Sequence, residues 1–196
     1  MDLHARIHEH FKQNVLLISQ LAPLLAEPIE QASALMAETL LSEHKILCCG
    51  NSLCASNAQY LTSRLLGHLR FERPALAAIN LSQDAQLMSA MSADHQFDLL
   101  YSRQIMALGN AQDVLVCMCL DGNSMNLIHA IHTAHERNLR VIMMTGGDGG
   151  EMIEVLTEED IHISIPSDDP ARVQEVFILV MHCLCDAIDS ILLGVE

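Results

Sequence analysis

The tripeptide Gly-Asn-Ser occurs twice in the sequence, each time after an apolar run, as Gly50-Asn51-Ser52 and Gly122-Asn123-Ser124. Where a strand turns straight into a helix, the first N–H groups of the helix have no intrahelical partner and its N-terminus carries partial positive charge. Such a turn can bind an anion such as a phosphate. A tight turn with an ordinary helix cap explains a single copy equally well. The recurrence is therefore the informative feature.

Gln174 and His182 are polar exceptions in the apolar stripe of a long helix predicted from Asp169-Pro170 to about residue 193. A single His in such a helix is more typical of the core than of a ligand site. Other histidines recur at helical spacing at positions 4, 8, 129, 132 and 135. No carboxylate completes a metal-binding set for the last three, and the first two lie on a polar face beside Glu9 and His10, so all five are predicted to lie on the surface.

The composition narrows the possible functions. The chain has 196 residues, 51% of them apolar, which suits one domain with a sizeable core. Its 25 acidic and 10 basic residues give a formal charge of −15, which disfavours binding to nucleic acid or anionic lipid. With no Trp, two Tyr and four Phe, little aromatic surface is left for stacking on bases or sugars. Of the possible functions, binding of a small molecule or of another protein is not excluded by the composition.

The seven cysteines are an odd number and mostly lie in apolar runs, so they are predicted to be reduced core residues. Their Cys-x-Cys pairs do not have the Cys-x-x-Cys spacing of structural zinc sites. The N-terminus lacks the apolar segment of a signal peptide, and no span of 18 uncharged residues occurs. A cytoplasmic protein is expected.

Apolar strands that alternate with helices predict a parallel sheet covered on both faces. The predicted strands span residues 45–49, 74–81, 113–119, 140–145 and 161–165, and further helices are predicted at 97–108 and 124–137. Before them, residues 2–18 and 27–42 have helical periodicity and are separated by Pro23 and Pro28. We expect two N-terminal helices, within residues 1–43, that pack on the sheet edge or on another subunit, followed by the main domain at 44–196.

Besides the two turns, the sequence contains Arg73-Pro74, Asp94-His95-Gln96-Phe97, Tyr101-Ser102-Arg103, residues 145–150 and Arg172-Val173-Gln174-Glu175. Together these segments resemble the sugar isomerase (SIS) domain of the phosphoheptose isomerase group. Within that group the resemblance is closest to the non-catalytic, DiaA-like branch that associates with the replication initiator DnaA, on residues 45–51, 57–59 and 183–186. The resemblance implies an α/β fold with a flavodoxin-like five-stranded parallel sheet and two leading helices, assembled as a homotetramer.

The resemblance also implies which residues bind a ligand. The positions carried over are Gly50, Asn51, Ser52, Asp94, Asn123, Ser124, Gln174 and His182. The isomerases carry a metal-binding His and, four residues later, a Glu on the helix after the first turn, where this chain has Tyr60 and Arg64. Because Arg64 cannot bind a cation, no metal and no cofactor are expected. Zinc is expected only if the protein is an isomerase.

These departures favour a non-catalytic scaffold that binds DnaA and regulates replication initiation. The partner patch is expected at Ile191, Leu192 and Leu193, although the same residues could simply end the core. The first alternative is a phosphoheptose isomerase that converts sedoheptulose 7-phosphate to a heptose 7-phosphate, with His182 as the acid or base. The second alternative is a phosphosugar sensor that keeps the pocket without chemistry.

Overall fold

The computed structural model describes residues 2–194. Within this range five strands form one parallel sheet in the order β2-β1-β3-β4-β5. The strands are β1 (Ile46–Gly50), β2 (Ala78–Asn80), β3 (Val114–Cys119), β4 (Arg140–Gly146) and β5 (Ile161–Ile165), and the helices are α1 (Leu3–Leu41), α2 (Leu53–Leu66), α3 (Ala85–Ala93), α4 (Leu100–Leu108), α5 (Met125–Glu136) and α6 (Pro170–Leu193). The predicted α/β fold with a flavodoxin-like sheet is confirmed.

The sheet separates two apolar clusters. On one face α1, α2 and α6 pack against side chains such as Cys48, Val116 and Met144. On the other face α4 and α5 pack against Leu47, Leu115 and their neighbours. Every residue of β1 and β3 is buried, as expected for central parallel strands whose sheet is covered on both faces. Because the strands are parallel, all β-to-α turns meet at one carboxyl edge, where ligands bind in folds of this type.

The prediction of two N-terminal helices is wrong, because Leu3–Leu41 form one helix of 39 residues that contains Pro23 and Pro28. At 1.5 Å per residue it is about 58 Å long. Apolar side chains on both sides of the prolines, among them Leu21, Leu25 and Met36, are buried in the cluster that also contains α6. This continuous packing compensates for the backbone hydrogen bonds that proline removes.

Three smaller differences concern the segment after α2. β2 has three residues instead of the predicted eight. A helix that the sequence analysis did not predict, α3, follows Asp84, whose side chain accepts a hydrogen bond from Leu87 N at 2.8 Å. The predicted helix 97–108 begins with a 3-10 turn at Phe97–Leu99. Short elements with weak periodicity are where local sequence is least informative.

All seven cysteines are free, and six of them are buried. Burial raises the pKa of Cys48 and that of Cys185 to about 12, so these thiols stay protonated at neutral pH. α6 is the one helix in residues 2–194 that is long and apolar enough to cross a membrane by length and composition. It has ten buried residues, and its apolar stripe packs against α1 and α2 in the core.

Candidate functional site

The first Gly-Asn-Ser turn lies at the carboxyl end of β1. Gly50 is the last residue of the strand, and a Cβ there would lie 2.7 Å from the Cβ of Cys54. Ser52 has φ +51° and ψ −120°, and Cys54 N donates to Asn51 O at 2.9 Å. These values describe a type II′ turn that leads straight into α2. Ser52 is exposed and makes no capping hydrogen bond, so its hydroxyl is available to a ligand beside the positive N-terminus of α2.

The second turn has the same sequence but another conformation. Gly122 has φ +70°, and Ser124 is the extended N-cap of α5 without a side-chain capping bond. Both ends of the Asn123 amide are used within the loops: Nδ2 donates to Asp121 O at 2.9 Å, and Oδ1 accepts from Glu151 N at 3.0 Å. The groups that this turn offers to a ligand are therefore the Ser124 hydroxyl and the N-terminus of α5.

An amide pair joins the two turns. Asn51 Nδ2 donates to Asn126 Oδ1 at 2.8 Å, and Asn126 Nδ2 donates back to Asn51 Oδ1 at 3.0 Å. The Tyr101 hydroxyl donates to Gly50 O at 2.6 Å, and burial raises the pKa of Tyr101, which keeps the phenol protonated. Sequence reasoning missed Asn126, although a polar residue at the start of an apolar helix was a usable signal.

Asp121 lies next to this edge. Its carboxylate accepts from Cys119 Sγ at 3.3 Å and from Asn123 N at 3.1 Å. Its charge also contributes, after burial and two neighbouring thiols, to raising the pKa of Cys54 on α2. Asp121 thus stabilises its own turn while adding negative charge near the helix N-termini, which weakens a phosphate site there.

A second group of polar side chains lies between α2 and α6. The Tyr60 hydroxyl and His182 Nε2 are 2.8 Å apart, and their rings meet edge to face at 5.7 Å between centroids. Asn57 and Gln174 form a reciprocal amide pair with distances of 2.9 and 2.6 Å. The structure therefore joins the two predicted residues of α6 to two residues of α2 that had not been predicted as ligand-binding.

Arg64 adds a positive charge to this interface. Its guanidinium carbon lies 5.4 Å from the centre of the Tyr60 ring, close enough for a cation–π contact. Its Nε is buried and has no hydrogen-bond partner among residues 2–194. Its charge also acts on α6: burial raises the pKa of Cys185, and the positive charge of Arg64 partly opposes that increase. Tyr60, Arg64 and His182, called here the Tyr-Arg-His cluster, form one contiguous unit.

Comparison with known proteins identifies the family. Residues 9–146 match the SIS domain. The chain belongs to the SIS domain family. Over its full length it is 41% identical to the phosphoheptose isomerase of Dechloromonas aromatica, whose full length is also covered. The structure of the phosphoheptose isomerase from Neisseria gonorrhoeae is similar over 96% of this chain and 99% of its own, with 39% identity and a TM-score of 0.90. That of the phosphoheptose isomerase from Francisella tularensis is similar over 97% of this chain and 100% of its own, with 36% identity and a TM-score of 0.93.

These relatives correct the expected function of this SIS domain. The predicted family is confirmed, but the main functional prediction, a scaffold that binds DnaA, is wrong. The full-length relatives are named phosphoheptose isomerases, which supports the isomerase alternative. The correction has a clear cause: the DnaA-associated branch was chosen on a few short segments, whereas the identity to isomerases extends over the whole chain.

The SIS domains of isomerases imply a zinc ion, and the donor set of this chain does not fit one. Among residues 2–194 no three His, Cys, Asp or Glu side chains are grouped to hold a metal. His182 Nε2 and the Gln174 amide are engaged by Tyr60 and Asn57. A guanidinium about 4 Å from a dication would also oppose binding by about 8 kcal/mol at an effective dielectric constant near 20.

The remaining predicted residues do not join this site. Asp94 is exposed at the C-terminus of α3, and no hydrogen bond connects its side chain to the other predicted residues in the described chain. Ile191 and Leu193 are exposed near the end of α6, while Leu192 packs against the core. Their predicted role as a partner patch loses its basis with the DnaA assignment.

Proposed function

We propose that this SIS domain is a sugar-phosphate isomerase that converts sedoheptulose 7-phosphate to a heptose 7-phosphate. The observation that carries the proposal is the 41% identity to a phosphoheptose isomerase over all 196 residues, with no part of either chain left out. The proposal is supported by the two helix N-termini at the carboxyl edge of the sheet and by His182 on α6, a group able to transfer protons.

The phosphate is placed at the two turns. The helices α2 and α5 both begin there, and the amide pair between Asn51 and Asn126 holds the turns together. The hydroxyls of Ser52 and Ser124 and the positive N-termini of the two helices favour one anion between them. Tyr60 follows Leu53 by two helical turns, about 10 Å along α2, which is comparable to the length of an extended seven-carbon sugar.

The sugar's carbonyl end is placed at the Tyr-Arg-His cluster. In the conversion of a ketose to an aldose, a base removes a proton from C1 and the C2 carbonyl oxygen gains one, which gives an enediol. The enediol then loses its O1 proton and gains a proton at C2, so C1 is oxidised and C2 is reduced without an external redox partner. His182 is assigned the proton transfer, and the Tyr60 hydroxyl orients its ring through the 2.8 Å hydrogen bond.

The direct test is turnover of sedoheptulose 7-phosphate by the purified protein, with product measured by NMR. We expect turnover that His182→Ala lowers by about 100-fold or more. His135→Ala is the matched control, since this histidine bonds Asp160 at 2.8 Å and lies outside the site. Absence of turnover in the wild-type protein, or a His182→Ala variant that is as active as the parent, would contradict the proposal.

A phosphosugar sensor is the second candidate, favoured by Tyr60 and Arg64 at the positions of the isomerases' metal ligands. A sensor requires binding without conversion. Sedoheptulose 7-phosphate would then raise the melting temperature by mass action, and NMR would show the ligand unchanged after prolonged incubation. Turnover supports the isomerase over the sensor, and a melting temperature that stays constant at millimolar ligand argues against both.

We also propose that the protein is cytoplasmic and forms a homotetramer through α1. Leu3, Ile7, Phe11 and Val15 are spaced by four residues and expose 59–70% of their surface, which forms an uncovered apolar stripe. Light scattering after size exclusion should give four times the chain mass of 21.6 kDa. Phe11→Glu should yield smaller species, and a monomeric wild-type protein would refute the assembly.

A further inference from the structure

The position next to His182 that a metal ion would need is already occupied. The Tyr60 hydroxyl lies 2.8 Å from Nε2, at hydrogen-bond distance. A metal bound to that nitrogen would have to displace the phenol, because the metal and the phenol oxygen would occupy the same position beside Nε2, whichever group donates the hydrogen. The nearest amide, Gln174, is held by two hydrogen bonds to Asn57 at 2.9 and 2.6 Å. Both donors on α6 are therefore already used within the protein.

The charge of Arg64 also opposes a metal ion at this position. Its guanidinium cannot lose its charge at any working pH. It is half-buried, lies 5.4 Å from the Tyr60 ring and reaches α6 electrostatically at Cys185. A dication at the cluster would meet the positive charge of Arg64, since the two acidic side chains near Cys185 on α6 pair with other arginines, Asp189 with Arg73 at 2.5 Å and Asp186 with Arg70 at 3.1 Å.

We propose that the Tyr-Arg-His cluster replaces a metal centre, so that the site binds no zinc and polarises the sugar carbonyl with protein groups alone. The inference rests on the proposed isomerase function for its chemical meaning, but zinc binding can be measured without turnover. In a metal-dependent site a dication draws electron density from the carbonyl oxygen. Here Arg64, whose buried Nε has no hydrogen-bond partner among residues 2–194, provides the positive charge at that place.

The test measures bound zinc. Untagged protein is treated with a chelator, desalted, incubated with zinc, desalted again and analysed by mass spectrometry of the metal. His182→Ala is the blank for zinc on surface histidines, because it removes the one imidazole of the cluster. Wild-type protein should bind the same amount as this blank. An excess of about one zinc ion per chain in the wild type would overturn the proposal.

A gain-of-binding variant tests the cause. Tyr60→His with Arg64→Glu places two donors one turn apart on α2, facing Gln174 and His182, and removes the opposing charge. It should bind about one zinc ion per chain above the blank. The matched control, Tyr60→Phe with Arg64→Met, removes phenol and charge but adds no donors and should bind none. Failure of the His/Glu variant to gain zinc, with its helical CD signal intact, would also overturn the proposal.

Activity provides a separate readout. If the wild-type protein turns over sedoheptulose 7-phosphate, its rate should be the same with chelator and with added zinc. Arg64→Met should lower kcat by about 10- to 100-fold with no rescue by zinc, and Arg64→Lys should restore part of it. Loss of activity in chelator would overturn the inference. A protein that binds no zinc and shows no turnover under either condition would refute the isomerase function alone.

Discussion

The two Gly-Asn-Ser turns have the same sequence and different structures. In the first, the positive φ falls on Ser52 and the glycine ends a strand. In the second, the positive φ falls on Gly122 and the serine is extended. Each glycine is required by a different neighbour, Cys54 on α2 in one case and the Gly149 carbonyl of the adjacent loop in the other. The neighbours that each turn meets, local in the first case and tertiary in the second, decide the conformation, and the tripeptide alone does not.

The two asparagines differ in the same way. The side chain of Asn51 bonds the side chain of Asn126, whereas the side chain of Asn123 bonds backbone only, Asp121 O in its own loop and Glu151 N in the loop after β4. The first turn holds a serine in a conformation that favours glycine, with its hydroxyl free at the edge of the site. Strain of this kind is characteristic of ligand-binding positions. We therefore assign ligand binding chiefly to the first turn and loop anchoring chiefly to the second.

The largest expected effect comes from the second turn's glycine. In Gly122→Ala, a Cβ would lie 1.9 Å from Gly149 O, and the residue already has φ +70°. We expect a loss of about 3 kcal/mol or more in the free energy of unfolding, measured with urea. Gly194→Ala is the control, because it has φ +65° with no atom within 4 Å and should lose only about 1 kcal/mol. Equal losses would disprove the steric explanation.

The next effect concerns the amide pair that joins the turns. Asn51→Ala or Asn126→Ala leaves a partly buried amide without its partner and should destabilise by about 1–3 kcal/mol. The double variant should lose less than the sum, with a coupling free energy of about 1 kcal/mol. Asn123→Ala combined with Asn126→Ala serves as the comparison, and its effects should add. Additive effects for Asn51 and Asn126 would mean that the pair does not connect the turns.

A smaller change should separate binding from stability. Ser52→Gly relieves the positive φ and should stabilise the protein by about 1 kcal/mol. It also removes a hydroxyl from the proposed phosphate site, so the affinity for the sugar phosphate should fall by about tenfold. Ser124→Gly should lower affinity without stabilising, because Ser124 is in an unstrained extended conformation. Calorimetric titration and thermal unfolding measure the two quantities. Unchanged affinity in Ser52→Gly would remove Ser52 from the site.

The smallest effect is a dependence of stability on pH at the second turn. Burial lowers the pKa of His162 below its ordinary value of 6.5, and its ring bonds Thr145 Oγ1 at 2.7 Å next to Gly149. Below pH 6.5 the unfolded chain binds more protons than the folded one, so stability should fall as the pH falls. His162→Gln keeps a hydrogen-bonding group that does not titrate and should flatten the melting temperature profile between pH 7 and about 5.5. If His162→Gln left the melting temperature profile unchanged, His162 would not be the source of the pH dependence.

The sequence predicted the fold well, because buried parallel strands are continuous apolar runs that need no knowledge of tertiary contacts. β5 at Ile161–Ile165 and the start of α6 at Pro170 were predicted where they occur. α1 was not, since two prolines ordinarily separate helices and only its packing with α6 overrides them. β2 was predicted too long, because Pro74 and its neighbours have strand-like side chains outside the sheet.

The site was predicted less completely, for a physical reason. Single residues such as His182 and Asn51 could be identified from motifs, but their partners lie 122 and 75 residues away in sequence. Asn123 was predicted to bind ligand, and the structure uses both ends of its amide within the loops. The function was misassigned because Tyr60 and Arg64 were interpreted as the loss of a site. In the structure they form the Tyr-Arg-His cluster with His182.

The most direct test of the account is a crystal structure of the protein with sedoheptulose 7-phosphate. We predict the phosphate between the N-termini of α2 and α5, bonded to the hydroxyl of Ser52. The C1–C2 end should lie at the Tyr-Arg-His cluster, within about 3.5 Å of a ring nitrogen of His182, the separation required for proton transfer. A phosphate bound elsewhere, or a sugar whose carbonyl end does not reach the Tyr-Arg-His cluster, would contradict the account.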